Sequence, residues 1–99
     1  MTIDCKKNGT ELTIALDGRL DSTTALQLND AIEAEIGGVT RLVFDFADLD
    51  YLSSAGLRVL LNAQKTMNRQ GEMVFLHVGE AVRDFFALTG LLDIFTILS

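Results

Sequence analysis

The sequence predicts a single α/β domain over residues 1–99, a mixed β-sheet of about four to five strands packed against about three to four helices in the order β-β-α-β-α-β-α-β. Three observations predict it. Leu12, Ile14 and Leu16 alternate with Glu11, Thr13, Ala15 and Asp17, the two-residue period of a half-buried strand. Two long stretches, beginning at Thr24 and Ser54, instead repeat their apolar residues at helical spacing. Between them, residues 41–46 (RLVFDF) form an apolar run rich in strand formers and too short for a typical helix.

Taken in order, residues 2–7 and 10–17 flank Asn8-Gly9 and read as a β-hairpin. In the first helix Ala25, Leu28, Ile32 and Ile36 share a face, Thr24 and Gln27 have the spacing of a capping box, and Gly37-Gly38 supplies the stop. Residues 41–46 are expected at the centre of the sheet. The second helix places Leu57, Leu60, Leu61 and Met67 on one side and Arg58, Asn62, Lys65 and Arg69 on the other, ending at Gly71. Residues 73–78 follow as a strand ending near His77. Glu80 to Leu88 is a third helix burying Val82, Phe85 and Phe86, with at least one of the two rings in the core. After its stop at Gly90, residues 94–98 form the last strand.

Composition narrows the function. With 48% apolar and 22% charged residues the chain has the makeup of a packed globule. Its formal net charge of −6 repels phosphate backbones and anionic membrane surfaces, which argues against nucleic-acid binding. No apolar run approaches the ~20 residues of a membrane span, so direct membrane insertion is not expected. A lone cysteine, Cys5, and the lack of a signal-peptide pattern point to the cytoplasm. Cys5 itself reads as a small apolar residue.

Residues 48–58 join the central strand to the second helix, a place where loops of α/β folds present functional groups. Ser53 and Ser54 stand at the helix mouth. A serine there can cap orphan N–H groups and contribute about 1 kcal/mol. Gly56, in the first turn, costs nearly 1 kcal/mol of helix propensity, which suggests that another molecule approaches the backbone there. A phosphate on Ser54 would also meet free N–H groups and the positive end of the helix dipole.

The sequence resembles the STAS domain family, specifically the bacterial anti-sigma-factor antagonists. The resemblance is carried in order and spacing by GRLD at residues 18–21, the RLVFDF strand, ADLDYLSSAGLRVLL at residues 47–61 and FFALTGLLDIF at residues 85–95. The family's phosphoacceptor lies two residues before the Gly-Leu pair, a position held here by Ser54. Many members have Asp just before it; this chain has Ser53, which becomes a secondary candidate acceptor.

The resemblance implies a phosphorylation-controlled partner switch and no enzyme. The unphosphorylated antagonist would bind an anti-sigma factor that is also a serine kinase of histidine-kinase-like ATPase fold, freeing the sigma factor. Phosphorylation of Ser54 would end binding, and a metal-dependent serine phosphatase would reset the switch. ATP and Mg²⁺ would belong to the partner, leaving this chain without a cofactor or metal of its own. Asp21, Ser53, Ser54, Gly56, Leu57 and Arg58 are the candidate partner-binding residues. The alternative reading is an accessory STAS subunit of a membrane ABC transporter.

Other candidates carry blander readings. Asp45, Asp48 and Asp50 fit no metal-binding spacing and read as strand-end and loop carboxylates. His77, the single histidine, has no neighbour in sequence that would make a triad or zinc site and reads as structural. No base is positioned in the motif for an enzyme using Ser54 as nucleophile.

Overall fold

The computed structural model describes all residues, Met1–Ser99. Strands β1 (Thr2–Asn8) and β2 (Glu11–Leu20) form the hairpin. Then come α1 (Thr24–Glu35), β3 (Arg41–Leu52), α2 (Ser54–Gln70), β4 (Glu72–Leu76), α3 (Glu80–Leu88), a 3₁₀ turn at Leu91–Asp93 and β5 (Thr96–Ile97). The sheet order is β1-β2-β3-β4-β5. β1 is antiparallel to β2 and every other pair is parallel. The expected class and element order therefore hold, with β3 at the centre.

Strand register sorts the side chains by face, because residues directly paired across strands point the same way. Cys5, Ile14, Phe44, Phe75 and Ile97 form one such row. That row carries the core, in which the rings of Phe44, Phe75, Phe86 and Phe95 meet at centroid distances of 4.9–5.6 Å. The adjacent rows face the other way: Arg41 pairs there with Glu72 at 2.8 Å and with Glu11 at 3.4 Å. Of the two neighbouring phenylalanines of α3, Phe86 is buried and Phe85 only half-buried.

Several boundaries differ from the sequence reading, each for a local reason. The hairpin turn is Gly9-Thr10, one residue later than expected, with Gly9 at φ 63. The α1 capping box expected from Thr24 and Gln27 forms one turn earlier. Asp21 Oδ1 accepts the Thr24 N–H at 3.0 Å while the Thr24 hydroxyl accepts the Asp21 N–H at 2.8 Å. β3 runs six residues past Phe46, because residues 48–52, expected as loop, pair with residues 17–20 of β2 across two register shifts. β4 stops at Leu76, leaving His77 beyond the strand at φ 58. β5 is reduced to Thr96–Ile97, since Ile94 closes the 3₁₀ turn.

Gly71 shows how tightly α2 is tied back to the sheet. A Cβ there would lie 1.8 Å from the Thr40 carbonyl oxygen, which accepts the Glu72 N–H at 3.0 Å. Only a residue without a side chain lets β4 start beside that carbonyl.

Candidate functional site

The mouth of α2 is built by the ends of β2 and β3. Leu20 pairs with Leu52, and the Leu20 carbonyl accepts the Ser53 N–H at 2.9 Å. Asp21, the residue after Leu20, is thereby held beside the serine pair. Its carboxylate also accepts the Thr23 and Thr24 N–H groups at 3.0 Å each. The backbone bond from Thr24 leads the causes that hold the Asp21 carboxyl below its ordinary value. Asp21 thus closes the turn that leads into α1 through Oδ1, while its Oδ2 makes no hydrogen bond within the protein.

The two serines divide the available roles between them. Ser53 is the N-cap of α2: its hydroxyl oxygen accepts the Gly56 N–H at 3.1 Å, and its carbonyl accepts the first helical N–H, from Leu57, at 2.9 Å. Ser54 is the first helical residue and is exposed. Its hydroxyl makes no hydrogen bond within the protein, so the stability gained by a cap comes from its neighbour.

Gly56 corrects one expectation. Its place in the first turn suggested close approach by another molecule, but the glycine is buried and the close neighbours are its own core. A Cβ would sit 2.6 Å from Leu20 Cγ and 3.1 Å from Leu52 Cδ1. Leu57 is buried as well, so neither residue offers a side chain to a partner and both act by setting the path of α2.

What α2 does offer outward is Ser54 and, one turn on, the exposed Arg58. Beside them a groove of about 240 Å³ lies between α1 and α2, lined by Ser22, Leu26, Asn29, Ala55, Arg58 and Asn62 among others. Leu26 is 69% exposed, a large apolar side chain left on the rim. Sequence patterning missed it, since Leu26 lies beside rather than on the apolar stripe of α1.

Two further pairs escaped the sequence. Arg19 lies over the Tyr51 ring, with its guanidinium carbon 4.2 Å from the centroid; their pairing across β2 and β3 appears only once residues 48–52 are read as strand. His77 Nδ1 lies 2.9 Å from Asp45 Oδ1 across the ends of β4 and β3. That bond leads the causes lowering the Asp45 carboxyl, and gives His77 the structural role expected of it. Asp45, Asp48 and Asp50 form no cluster suited to a metal. Burial is the main cause raising the Cys5 thiol, which disfavours the thiolate.

Residues 2–99, from the first strand to the last residue, match the STAS domain family. The chain belongs to that family. This STAS domain is 40% identical over 88 residues to the candidate anti-sigma factor antagonist BtrV of Bordetella bronchiseptica, covering 87% of this chain and 76% of the relative. It is 31% identical over 102 residues to the anti-sigma-B factor antagonist of Listeria monocytogenes, covering 98% and 88%. Its fold superposes on that of the Bacillus anti-sigma factor antagonist SpoIIAA in both states. The unphosphorylated form gives a TM-score of 0.80 at 20% identity, covering 99% of this chain and 88% of that one. The phosphorylated form gives 0.79 at 22%, covering 99% and 92%. No helix of this STAS domain is long and apolar enough to cross a membrane.

Proposed function

We propose that this STAS domain is a phosphorylation-controlled anti-sigma-factor antagonist acting in the cytoplasm. Unphosphorylated, it binds an anti-sigma factor that carries serine kinase activity and so frees a sigma factor; phosphate on Ser54 ends that binding, and a serine phosphatase removes it. The chain supplies a docking surface and an acceptor hydroxyl, while the chemistry belongs to its partners.

One observation carries the reading: of two adjacent serines at the same helix mouth, Ser53 is committed to the cap and Ser54 is exposed with its hydroxyl free. The curated relatives that are antagonists supply the partner class. Physically, the first-turn N–H groups of α2 have no partner four residues back, so they and the helix dipole can accommodate about −1.5 to −2 of added charge without unfolding. The same charge on an exposed docking surface repels and desolvates a bound partner.

The test is incubation with the cognate kinase and ATP, followed by intact-mass measurement of wild type, Ser54→Ala and Ser53→Ala. One phosphate is expected on wild type and Ser53→Ala and none on Ser54→Ala. A phosphate that survives Ser54→Ala and disappears in Ser53→Ala overturns the assignment.

A further inference from the structure

Arg58 is the cation at this site that has nothing to hold. Arg19 sits over the Tyr51 ring, Arg41 is paired with Glu11 and Glu72, Lys6 with Asp4, and Lys7 donates to the Glu35 carbonyl, while the other unpaired cations lie away from Ser54, Lys65 and Arg69 two or more turns further along α2 and Arg83 on α3. Arg58 makes no ion pair and no hydrogen bond, is exposed, and lines the α1–α2 groove together with Ser22 and Ala55. It stands four residues after Ser54 on α2. Side chains on a helix lean toward its N-terminus, and residues four apart share a face with their Cβ atoms about 5–6 Å apart. Arg58 and Ser54 therefore share a face one turn apart, a spacing at which a guanidinium can meet a phosphate carried by the serine.

We propose that Arg58 reads the charge state of Ser54: it pairs with a carboxylate of the docking partner while Ser54 is unmodified, and a phosphate on Ser54 takes it over. The inference rests on the switch at Ser54 and adds how the switch is transmitted. A planar guanidinium binds a phosphate dianion through two parallel N–H bonds, more strongly than it binds a singly charged carboxylate in water. The phosphate is tethered one helical turn away, whereas the partner's carboxylate must be brought by diffusion. Modification thus acts twice, by adding repulsion at the mouth of α2 and by withdrawing Arg58 from the docking surface. This chain carries a net charge of −6, so withdrawing a cation from beside Ser54 leaves less to attract an acidic segment there.

The test places phosphoserine at position 54 by genetic encoding, which needs no kinase, and follows the second ionisation of the phosphate by ³¹P chemical shift. The titration is repeated in Arg58→Ala and Arg58→Lys. Asp21, Asp50 and Arg19, the other charges around the mouth of α2, are unchanged in all three proteins. Capture by Arg58 favours the dianion, so proton affinity in the wild-type background should be about two- to fourfold lower than in Arg58→Ala, with Arg58→Lys between them. Identical titrations in the wild-type background and Arg58→Ala overturn the proposal. In unmodified protein, Arg58→Ala should weaken binding of the cognate kinase by about tenfold, as loss of one charge-assisted pair at an interface would; unchanged affinity overturns the partner half. Should the kinase bind none of these proteins, the antagonist reading fails, while the ³¹P titration still decides whether Arg58 holds the phosphate.

Discussion

The Ser53 hydroxyl accepts the Gly56 N–H at 3.1 Å, and this single bond separates the two serines at the mouth of α2 into a structural one and a free one. Replacing Ser53 with Ala leaves the Gly56 N–H unsatisfied and should cost about 1 kcal/mol. For a chain of this size that lowers Tm by about 4–8 °C. Ser54→Ala removes an exposed hydroxyl that bonds to nothing in the protein, and its Tm should stay within about 2 °C of wild type. Thermal melts of the two variants check the division of labour. Equal losses would mean that both hydroxyls cap.

The packing of Gly56 against Leu20 yields a second expectation with two opposed contributions. Alanine is better than glycine inside a helix by nearly 1 kcal/mol. Its methyl group would lie 2.6 Å from Leu20 Cγ, and Leu20 is fully buried, so it has no room to retreat. Overpacking of a filled core costs about 1–3 kcal/mol, which outweighs the propensity gain. Gly56→Ala should therefore unfold at lower denaturant concentration with an unchanged m-value. A stabilised variant would show that Leu20 repacks freely and would restore the close-approach reading of this glycine.

Acid should find two carboxylates out of place. Asp21 is lowered chiefly by the Thr24 N–H and Asp45 chiefly by its bond to His77. A carboxyl whose folded value lies below its unfolded value of about 3.9 stabilises the fold above that pH, and the contribution is lost as pH falls through the folded value. Asp21→Asn keeps an acceptor oxygen but cannot titrate, so its stability should vary less than that of wild type on going from pH 5 toward pH 2. His77→Ala should act on Asp45 in the same sense by removing its main partner. Urea midpoints measured at a series of pH values check both, and slopes identical to wild type would remove these two groups as contributors.

The sequence was most legible where a pattern repeats over many residues. The alternation of β2, the apolar run that opens β3 and the helical stripes of α2 and α3 each required several coincident positions, and each lies where its period placed it. The errors fall where one tertiary contact decides. Asp48 and Asp50 look like loop residues, yet Asp48 pairs with Asp17 and Asp50 sits at the register shift between the Gly18–Leu49 and Arg19–Tyr51 pairs, inside β3. Nothing local distinguishes Thr24 as cap from Thr24 as partner of Asp21, because both use the same hydroxyl. Asp45 and His77 are 32 positions apart and meet only because β3 and β4 are parallel neighbours. At the mouth of α2, the serine-loop motif pointed to Ser54 and Arg58 and the GRLD segment to Asp21, and the fold brings these segments side by side. The burial of Leu57 was already implied by its place on the apolar stripe of α2, whereas that of Gly56 was invisible because a glycine required by its own core and one required by a partner are spelled alike.

The charge-mimicking variant Ser54→Asp separates folding from docking, because the two should move in opposite directions. A carboxylate at the first position of α2 faces the unpaired N–H groups and the positive end of the helix dipole, an arrangement worth about 0.3–1 kcal/mol when exposed. The circular dichroism spectrum should match wild type and Tm should be equal or higher. Binding to the kinase should weaken, since the same negative charge now sits on the docking surface and competes for Arg58. A single carboxylate carries less charge than phosphoserine, so the loss should be smaller than that caused by phosphorylation itself. Calorimetric titration of the kinase with wild type, Ser54→Asp and Ser54→Ala provides the comparison. If Ser54→Asp and Ser54→Ala bind equally well, charge at this position is not what ends the complex.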